Sequence, residues 1–410
     1  MPKVLMVIID GAGDRGTITP LSSAKKPNLN KLAKMGINGI MDTIKPGVRP
    51  GSDTAHLALL GYDPFKCYTG RGPIEAAGVG IELKEGDVAF RVNFGTVEGE
   101  GSVFDKIVVD RRAGRISETD ELVEAVNEGV DLSEFGVEFV FKRGSGHRGA
   151  VVFRDDLSDR VSDVDPKKIG EKVKRCVPLE DDEKAKRTAE VVNYFVQKSH
   201  EILDNHPLNL ERAKRGLLKA NVLLLRGAGK VPHLPKFEDK YGMKLACVSG
   251  TALIKGVVKL LGGDVLEVKG ATGGKDTDLN AKVEASLKAL ESYDFVLLHI
   301  KATDEYGHDG DFEGKKAFIE KVDRAIEPLL SLDFSEVCLV ITADHSTPIN
   351  VKDHTADPVP VTIVYRDVRA DDVEEFSELK AYKGGLHRIT GNDLFNIVLD
   401  LINKAKKFGA

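Results

Sequence analysis

The sequence contains no tryptophan and only four cysteines, and it has no apolar run long enough to cross a membrane. Cys67, Cys176, Cys247 and Cys338 stand far apart without a C-x-x-C pair, which argues against a disulfide framework and against a structural zinc site. The apolar run at residues 3–9 is too short for a signal peptide or a transmembrane helix. We therefore expect a cytoplasmic protein without a membrane partner.

Neither sign of charge dominates, since 59 Lys and Arg residues stand against 65 Asp and Glu residues for a net charge of −6. This balance gives no reason to expect nucleic acid or an anionic membrane surface as a partner. An anionic substrate would have to be captured by a local cluster of arginines, lysines or metal ions.

The 410 residues are too many for one compact core, so we expect two domains. The first and last parts of the chain alternate between apolar, β-branched runs and helical patterns. Strands are predicted at residues 3–9, 244–248, 265–268, 294–300, 336–342 and 359–365, and helices at 251–261, 279–290 and 313–330. This alternation predicts a doubly wound α/β domain with a mostly parallel sheet.

The middle of the chain has a different pattern, in which short strands and turns are followed by helical segments. Strands are predicted at residues 88–96, 104–109, 138–143, 150–154 and 221–225, and helices at 182–203 and 210–220. This α+β pattern predicts a smaller domain inserted into the first. With linkers near residues 76–80 and 227–235, the first domain would comprise 1–75 and 240–410, and the inserted domain 76–239.

Acidic and histidine side chains follow three of the predicted strands. They are Asp10, Asp304, His308, Asp344, His345 and, slightly farther on, His354. In an open α/β sheet, ligands bind beyond the carboxyl ends of the strands, so these side chains should share one edge. Mixed oxygen and nitrogen ligands suit Zn, Mn or similar divalent ions, and six of them are more than one ion with open positions needs. The pattern favours two metal ions.

Ser52 is the candidate nucleophile. It lies in a Pro-Gly turn that leads into a helix predicted at residues 54–60. A hydroxyl at the N-terminus of a helix lies where partial positive charge favours an alkoxide or a phosphate. A serine held by a metal ion can also lose its proton near neutral pH and attack phosphorus.

Each of these residues also has a simpler explanation. Asp10 before a glycine can be a turn former, and Ser52 a helix N-cap. Asp304 and His308 could form a surface pair on a helix, although Gly307 favours a loop for this segment. His56, His299 and His387 are assigned to the core or the surface and left out of the site. The joint occurrence of the motifs, rather than any one of them, favours a metal site.

These motifs resemble the alkaline phosphatase superfamily. The resemblance rests on Asp10-Gly, the turn at residues 51–56 (GSDTAH), Asp304-x-x-x-His308, the segment 342–347 (TADHST) and His354. It is closest to the archaeal branch of the cofactor-independent phosphoglycerate mutases, and it covers essentially the whole chain. It implies an alkaline-phosphatase-like doubly wound domain with an inserted substrate-binding domain.

The resemblance also implies roles for individual residues. One metal ion would be held by Asp10, Ser52, Asp344 and His345, and the other by Asp304, His308 and His354, with Ser52 also the nucleophile. Manganese is the expected metal, and Zn, Co or Mg are alternatives; no 2,3-bisphosphoglycerate is expected as a cofactor. Candidate residues for gripping the phosphoglycerate are His147, Arg148, Arg160, Arg226 and Lys255.

The implied function is the interconversion of 2- and 3-phosphoglycerate in glycolysis and gluconeogenesis, through a phosphoserine on Ser52. Two alternatives remain open at this point. One is a phosphomonoesterase, phosphodiesterase or phosphopentomutase with the same metal site; the other is a metal-binding regulatory or scaffold protein without activity. Neither the native metal nor the oligomeric state follows from the sequence.

Overall fold

A computed structural model describes residues 2–409, which form thirteen β-strands and fifteen α-helices. The strands are β1 (Lys3–Ile9), β2 (Ile37–Asp42), β3 (Val88–Glu98), β4 (Ile107–Asp110), β5 (Glu138–Arg143), β6 (Arg148–Arg154), β7 (Val222–Gly229), β8 (Leu245–Val248), β9 (Asp264–Val265), β10 (Phe295–Ile300), β11 (Val337–Thr342), β12 (Val359–Val364) and β13 (His387–Thr390). The helices are α1 (Pro20–Ser23), α2 (Pro27–Met35), α3 (Ser52–Leu59), α4 (Pro64–Cys67), α5 (Arg71–Gly78), α6 (Asp120–Gly129), α7 (Glu183–Asp204), α8 (Pro207–Lys214), α9 (Phe237–Tyr241), α10 (Ala252–Leu260), α11 (Leu279–Ala289), α12 (Ala302–Asp309), α13 (Phe312–Ala325), α14 (Glu378–Ala381) and α15 (Gly391–Leu401).

The chain divides into two compact units, which we call the outer unit and the inserted unit. The outer unit comprises the residues up to Tyr68 and from Leu234 onward, and the inserted unit is Thr69–His233. The predicted boundaries, after residues 75 and 239, lie a few residues farther along the chain. The first boundary differs because α5 packs against β3 and β7 and so belongs to the inserted unit.

The outer unit is built on one eight-stranded sheet. Its strand order is β13-β2-β12-β11-β1-β10-β8-β9, with β11, β1, β10, β8 and β9 mutually parallel. The central strands β1, β10 and β11 are mostly apolar and almost completely buried, as expected for strands covered by helices on both faces. The predicted doubly wound, mostly parallel α/β fold is confirmed.

Part of the sheet differs from the prediction. Strand β12 was expected to extend the parallel set, but it runs antiparallel to both β11 and β2. Strands β2 and β13 were not predicted. Strand β2 reads Ile-Asn-Gly-Ile-Met-Asp and carries Asn38 and Gly39, which lack the β-branched signal of a buried strand. Strand β13 has four residues and begins with the exposed His387, which leaves little apolar pattern to detect.

The segment around Asp304 was predicted to be a loop, and that interpretation is wrong. It forms α12, which runs from Ala302 to Asp309. Gly307 lies inside this helix because the neighbouring loop comes very close: a Cβ at that position would be 2.5 Å from the carbonyl oxygen of Thr347. The glycine therefore reflects close packing rather than a break in the helix.

Several other predicted elements are shorter than expected or displaced. The helix predicted at 313–330 ends at Ala325 and is followed by a 3₁₀ turn that contains Pro328. The helix predicted at 210–220 is α8, which begins at Pro207. The strand predicted at 104–109 begins only at Ile107, and β9 has two residues instead of four.

The inserted unit has a five-stranded antiparallel sheet of its own. β3 pairs with β4, β6 and β7, and β5 pairs with β6. The long helix α7 packs on this sheet and buries Phe195 against Phe139 and Phe153. Its core consists of residues from within the unit alone.

Within residues 2–409, no helix is both long enough and apolar enough to span a lipid bilayer.

Candidate active site

Three strand ends bring acidic side chains to one edge of the outer unit's sheet. Asp10 directly follows β1, Asp344 comes two residues after β11, and Asp304 lies in α12, which follows β10. Because β1 pairs in parallel with both β10 and β11, these ends are neighbours. No more than 2% of any of the three residues is exposed. Three buried carboxylates so close together need cations beside them to compensate their negative charge.

The first group of candidate ligand atoms surrounds the ring of His345. Its Nε2 lies 3.5 Å from Asp10 Oδ1 and 3.3 Å from Asp344 Oδ2. Its Nδ1 lies 3.1 Å from the hydroxyl of Thr347, which donates its own proton to Asp304 Oδ1 at 2.6 Å. The hydroxyl therefore accepts from Nδ1, and Nε2 presents a lone pair to two carboxylates.

A lone pair that faces carboxylate oxygens at these distances is repelled unless a cation lies between them. Burial lowers the pKa of the His345 imidazole well below its ordinary value, so the ring itself is neutral. In addition, Asp344 Oδ2 is buried without a hydrogen-bond partner. The geometry of Asp10, Asp344 and His345 therefore fits a divalent metal ion.

The second group is built around Asp304. His354 Nε2 lies 3.3 Å from Asp304 Oδ1, and His308 Nε2 lies 3.5 Å from Oδ2. Backbone carbonyl groups orient both rings, since His354 Nδ1 donates to Pro50 O and His308 Nδ1 donates to Lys352 O, each at 2.9 Å. A histidine whose other nitrogen is fixed in this way is typical of metal sites.

The ring of His345 brings the two groups together. It stacks on the ring of His354 at a centroid distance of 3.6 Å, and Asp304, His345 and His354 satisfy the geometry of a second metal group. The structure thus places His345 within reach of both groups, whereas the resemblance assigns it to one. His308 is the most exposed of the set, with 40% of its side chain accessible.

The charge of Asp304 is strongly stabilised. Burial alone would raise the pKa of this carboxyl group, but Lys301 and the hydrogen bonds from His308 and His354 hold it well below its ordinary range. The hydrogen bond to Asp304 in turn raises the pKa of His308. A metal ion bound here would replace protons on these rings, as expected for histidine ligands.

Ser52 is the first residue of α3 and is almost completely buried. Its Oγ lies 3.2 Å from Nε2 of His345. The ring of His56, one turn later, is fixed by a 2.6 Å hydrogen bond from Nδ1 to the Ser52 carbonyl oxygen. The hydroxyl is therefore held at the positive end of a helix beside the first metal group.

His299 is a site residue that the sequence analysis had assigned to the core or the surface. Its Nε2 donates to Asp10 Oδ2 at 2.7 Å, and its Nδ1 accepts from the Ser249 hydroxyl at 3.1 Å. Burial lowers the pKa of His299 to about 4, so the neutral ring fixes the orientation of Asp10. Its position in the fully buried β10, next to β1, is the signal that could have identified it.

Lys301 is the second residue that the sequence analysis missed. Its Nζ donates to Asp10 Oδ1 at 3.0 Å and to Asp304 Oδ2 at 2.6 Å. Burial by itself would lower the pKa of this ammonium group, but Asp10, Asp304 and Asp344 raise it above its ordinary value. A lysine directly after a buried strand and three residues before an aspartate was the available signal.

The inserted unit carries a cluster of arginines on one face of its sheet. Arg91 of β3 lies opposite Arg226 of β7, and Asn93 lies opposite Arg148 of β6. Residues two apart on a strand share a face, so all four side chains are on the same side of the sheet. Arg226 also lies 4.0 Å from the buried Asp165.

A second carboxylate, that of Glu75, also lies among these arginines. Glu75 Oε1 accepts from Arg71 Nε at 2.9 Å and lies 3.6 Å from Arg91 Nε. Burial by itself would raise the pKa of Glu75, but Arg71, Arg91 and Arg148 lower it.

The arginines outnumber the acidic side chains among them. Burial and Arg71 lower the pKa of the Arg91 guanidinium well below its ordinary value, and Arg226 and Arg148 add to the effect. The Arg91 Nε and Asn93 Oδ1 atoms are buried without hydrogen-bond partners. An excess of crowded positive charge with an unused donor favours an anion as the ligand.

Two of the predicted substrate-binding residues pair with glutamates. Arg160 pairs with Glu180 at 2.8 Å, and more than half of each side chain is exposed. Lys255 lies on α10 in the outer unit and pairs with Glu267 at 2.8 Å. His147 directly precedes Arg148, and burial followed by Arg148, Arg112 and Arg91 lowers its pKa to about 3.

Comparisons with known proteins agree on one family. The family profile for 2,3-bisphosphoglycerate-independent phosphoglycerate mutase matches residues 33–209. The chain is 69% identical to 2,3-bisphosphoglycerate-independent phosphoglycerate mutase 1 of Archaeoglobus fulgidus over 410 residues, which cover 99% of this chain and 100% of the relative. It is 51% identical to the corresponding mutase of Methanosphaera stadtmanae, with 100% of both chains covered.

Two solved structures are also similar over the whole chain. A protein from Pyrococcus horikoshii is 40% identical with a TM-score of 0.85, and the match covers 100% of this chain and 99% of that one. The cofactor-independent phosphoglycerate mutase of Thermoplasma acidophilum is 39% identical with a TM-score of 0.69, and the match covers 99% of this chain and 100% of that one.

Proposed function

The chain belongs to the 2,3-bisphosphoglycerate-independent phosphoglycerate mutase family, and we propose that Ser52 carries the phosphoryl group during its reaction. The reaction is the interconversion of 2-phosphoglycerate and 3-phosphoglycerate. The observation that carries the proposal is the position of Ser52 Oγ at the N-terminus of α3. There it lies 3.2 Å from Nε2 of His345, whose ring belongs to both candidate metal groups.

We further propose that the two carboxylate–histidine groups hold two divalent ions. Asp10, Ser52, Asp344 and His345 would hold one ion, and Asp304, His308 and His354 the other. The lone pair that His345 Nε2 presents to Asp10 and Asp344 and the unpaired Oδ2 of Asp344 support this assignment. The nitrogen and oxygen ligands suit Mn(II) as well as Zn, Co or Mg. Ions bound there would lower the pKa of the Ser52 hydroxyl and neutralise charge on the phosphoryl oxygens.

In this scheme Ser52 Oγ attacks the phosphorus atom of either isomer in line, and the bond from phosphorus to the glycerate oxygen breaks. The leaving oxygen takes up the proton that Ser52 has lost. The other hydroxyl of glycerate then attacks the phosphoserine, gives up its proton, and regenerates free Ser52. The positive end of α3 favours the negative charge on Oγ at both stages.

We propose that the arginine cluster of the inserted unit binds the anionic groups of phosphoglycerate. Arg148 and Arg226 are among the residues that the resemblance indicates, and Arg91 lies on the same face of the sheet. A guanidinium group suits both carboxylate and phosphate through paired hydrogen bonds. His147 would contribute as a neutral ring. Arg160 and Lys255 remain predictions, since substrate would have to displace the carboxylates that now pair with them.

The test is a comparison of Ser52→Ala with Ser346→Ala in the full chain loaded with Mn(II). Ser346 is also buried next to His345, but its hydroxyl donates to Asp357 O at 3.1 Å. Isomerisation of 3-phosphoglycerate is followed without added 2,3-bisphosphoglycerate, while free phosphate is measured in parallel. Intact mass spectrometry of acid-quenched protein detects a phosphoryl group on the enzyme.

We expect Ser52→Ala to lose isomerisation and the phosphoryl mark together, and Ser346→Ala to keep both. Near-normal isomerisation by Ser52→Ala would refute the phosphoserine scheme. Release of free phosphate without isomerisation by the unchanged chain would indicate a phosphatase with the same nucleophile.

A further inference from the structure

Lys301 connects the two proposed metal groups. Its ammonium donates to Asp10 Oδ1 at 3.0 Å, to Asp10 Oδ2 at 3.2 Å and to Asp304 Oδ2 at 2.6 Å. Asp10 belongs to the first group of ligand atoms and Asp304 to the second. One side chain thus contacts a carboxylate of each group.

The lysine occupies oxygens that metal ions would need. Asp10 Oδ1 is the oxygen that faces His345 Nε2 at 3.5 Å, and Asp304 Oδ2 is the oxygen that faces His308 Nε2 at 3.5 Å. The ammonium group is therefore hydrogen-bonded to an oxygen on the ligand side of each aspartate. An ammonium and a divalent ion are both attracted to the same lone pairs, and the closer approach of one weakens the contact of the other.

The position of Lys301 is held by the backbone. It follows Ile300, the last residue of β10, and directly precedes α12. Only 19% of its side chain is exposed. Lys301 is therefore an internal cation within a cluster of buried carboxylates.

We propose that Lys301 acts as a resident cation which holds Asp10 and Asp304 together before metal binds, and which the first divalent ion must displace. This inference rests on the two-metal proposal above. Because the same ammonium contacts both groups, the first ion bears the cost of moving it, and the second ion finds its ligands already released. Lys301 thereby couples the occupancy of the two metal groups, and it is a positioning residue rather than a catalytic one.

The test is calorimetric titration of Mn(II) into the chelator-treated full chain. Wild type is compared with Lys301→Met, which removes the ammonium group. Lys301→Gln, which keeps a polar side chain, is the second variant in case Lys301→Met folds poorly. Lys275→Met is the matched control, because Lys275 pairs with Asp309 at 2.7 Å and neither is among the candidate ligands. Thermal unfolding of each protein is measured in chelator and in saturating Mn(II).

Lys301→Met should bind the first Mn(II) about tenfold more tightly than wild type, as expected when charged hydrogen bonds no longer have to be broken. Its second Mn(II) should bind with nearly unchanged affinity. In chelator the variant should unfold at a lower temperature than wild type. Saturating Mn(II) should reduce this difference in unfolding temperature. Lys275→Met should match wild type in both affinities.

Equal tightening of both binding steps would show that Lys301 acts only through long-range charge, and would overturn the coupling. Unchanged affinity for the first ion would overturn the displacement itself. If wild type binds no Mn(II) at all, the two-metal proposal fails and this inference fails with it. A wild type that binds two ions without the expected change in Lys301→Met leaves the two-metal proposal standing and refutes this inference alone.

Discussion

Gly11, the residue after Asp10, has a conformation and a packing environment that only glycine fits well. Its φ is +67°, and a Cβ there would lie 2.6 Å from Asp304 Cβ and 2.8 Å from Thr347 Oγ1. Its backbone N–H also donates to Asp344 Oδ1 at 3.0 Å. The Asp-Gly pair therefore positions Asp10 and leaves room for the side chains of Asp304 and Thr347.

Gly11→Ala should displace Asp304 and weaken metal binding. The positive φ alone should cost about 1 kcal/mol in the free energy of unfolding, and the contact with Asp304 adds to it. Chemical denaturation and Mn(II) titration would measure the two effects. Gly16→Ala is the control for a positive φ, since Gly16 has φ +105° and open space around its Cβ position. Normal Mn(II) affinity in Gly11→Ala would contradict this account.

His147 gives the inserted unit a dependence on pH. Burial, followed by Arg148, Arg112 and Arg91, lowers its pKa from 6.5 to about 3, so the unfolded chain binds its proton more readily than the folded chain. The contribution of His147 to stability is therefore complete above about pH 6.5 and is lost progressively as the pH falls towards 3.

His147→Gln should lose less stability than wild type between pH 7 and about pH 5, because the variant no longer has this group to protonate. Thermal unfolding at several pH values would measure how steeply the unfolding temperature changes with pH. His387→Gln serves as the control, because His387 is exposed on β13 of the outer unit. Parallel slopes for wild type and His147→Gln would contradict the effect of His147.

At the scale of single residues, the sequence was sufficient to select the acidic and histidine side chains after the strands. The structure gathers Asp10, Asp304, Asp344, His345 and His354 in one cluster. Their roles as ligands remain proposals. The sequence signals for Lys301 and His299 were too weak to include them, because a lysine and a histidine near a strand end usually serve packing or solvation.

At the scale of elements, α7 shows how a local signal fixes a boundary. Asp182 precedes this helix of 22 residues, and its carboxylate accepts from Ala185 N at 3.0 Å. Such a cap satisfies a backbone N–H that has no partner within the helix.

Asp182→Ala should lower the free energy of unfolding of the inserted unit by about 1 kcal/mol, because the cap is lost. Urea denaturation would measure it as a change of midpoint at constant slope. Asp181→Ala is the matched control. Asp181 is 92% exposed and pairs only at the surface with Lys186, so its loss should change stability by less than about 0.5 kcal/mol. Equal losses in both variants would argue against the cap.

Elements with strong apolar runs were predicted to within one residue, as β1, β10 and β11 show. The direction of β12 could not be predicted, because a buried apolar strand has the same composition in parallel and antiparallel pairing. The helix α12 was missed because Gly307 lowers helix propensity, and only packing against Thr347 explains the glycine. Local propensity was overridden by a tertiary contact in that case.

At the scale of the whole molecule, the inserted unit has the features of an independent folding unit. Its sheet and its hydrophobic core are formed by residues 69–233 alone. Its two chain ends are joined by a 2.6 Å hydrogen bond from the Thr69 hydroxyl to Lys230 O.

Residues 69–233 expressed alone should therefore unfold in a single cooperative transition. Circular dichroism during thermal unfolding would measure it. Phe195→Ala in the same fragment is the control for a true core. Because Phe195 is fully buried, the substitution should lower the free energy of unfolding by about 3–5 kcal/mol. A fragment without a cooperative transition, or one that tolerates Phe195→Ala, would refute independent folding.

The sequence by itself determined the class of fold, the family, and the types of atom available to bind metal and phosphate. These follow from short-range patterns: apolar runs, helix periodicity and motifs that occupy a few consecutive residues. Only the tertiary structure decided which of those atoms meet. Asp10 and Lys301 are 291 positions apart, and Arg91, Arg148 and Arg226 come from three different strands. It also paired Arg160 with Glu180 and placed His345 between two groups. Periodicity determines which face of an element a side chain occupies, but strand order and register determine its neighbours.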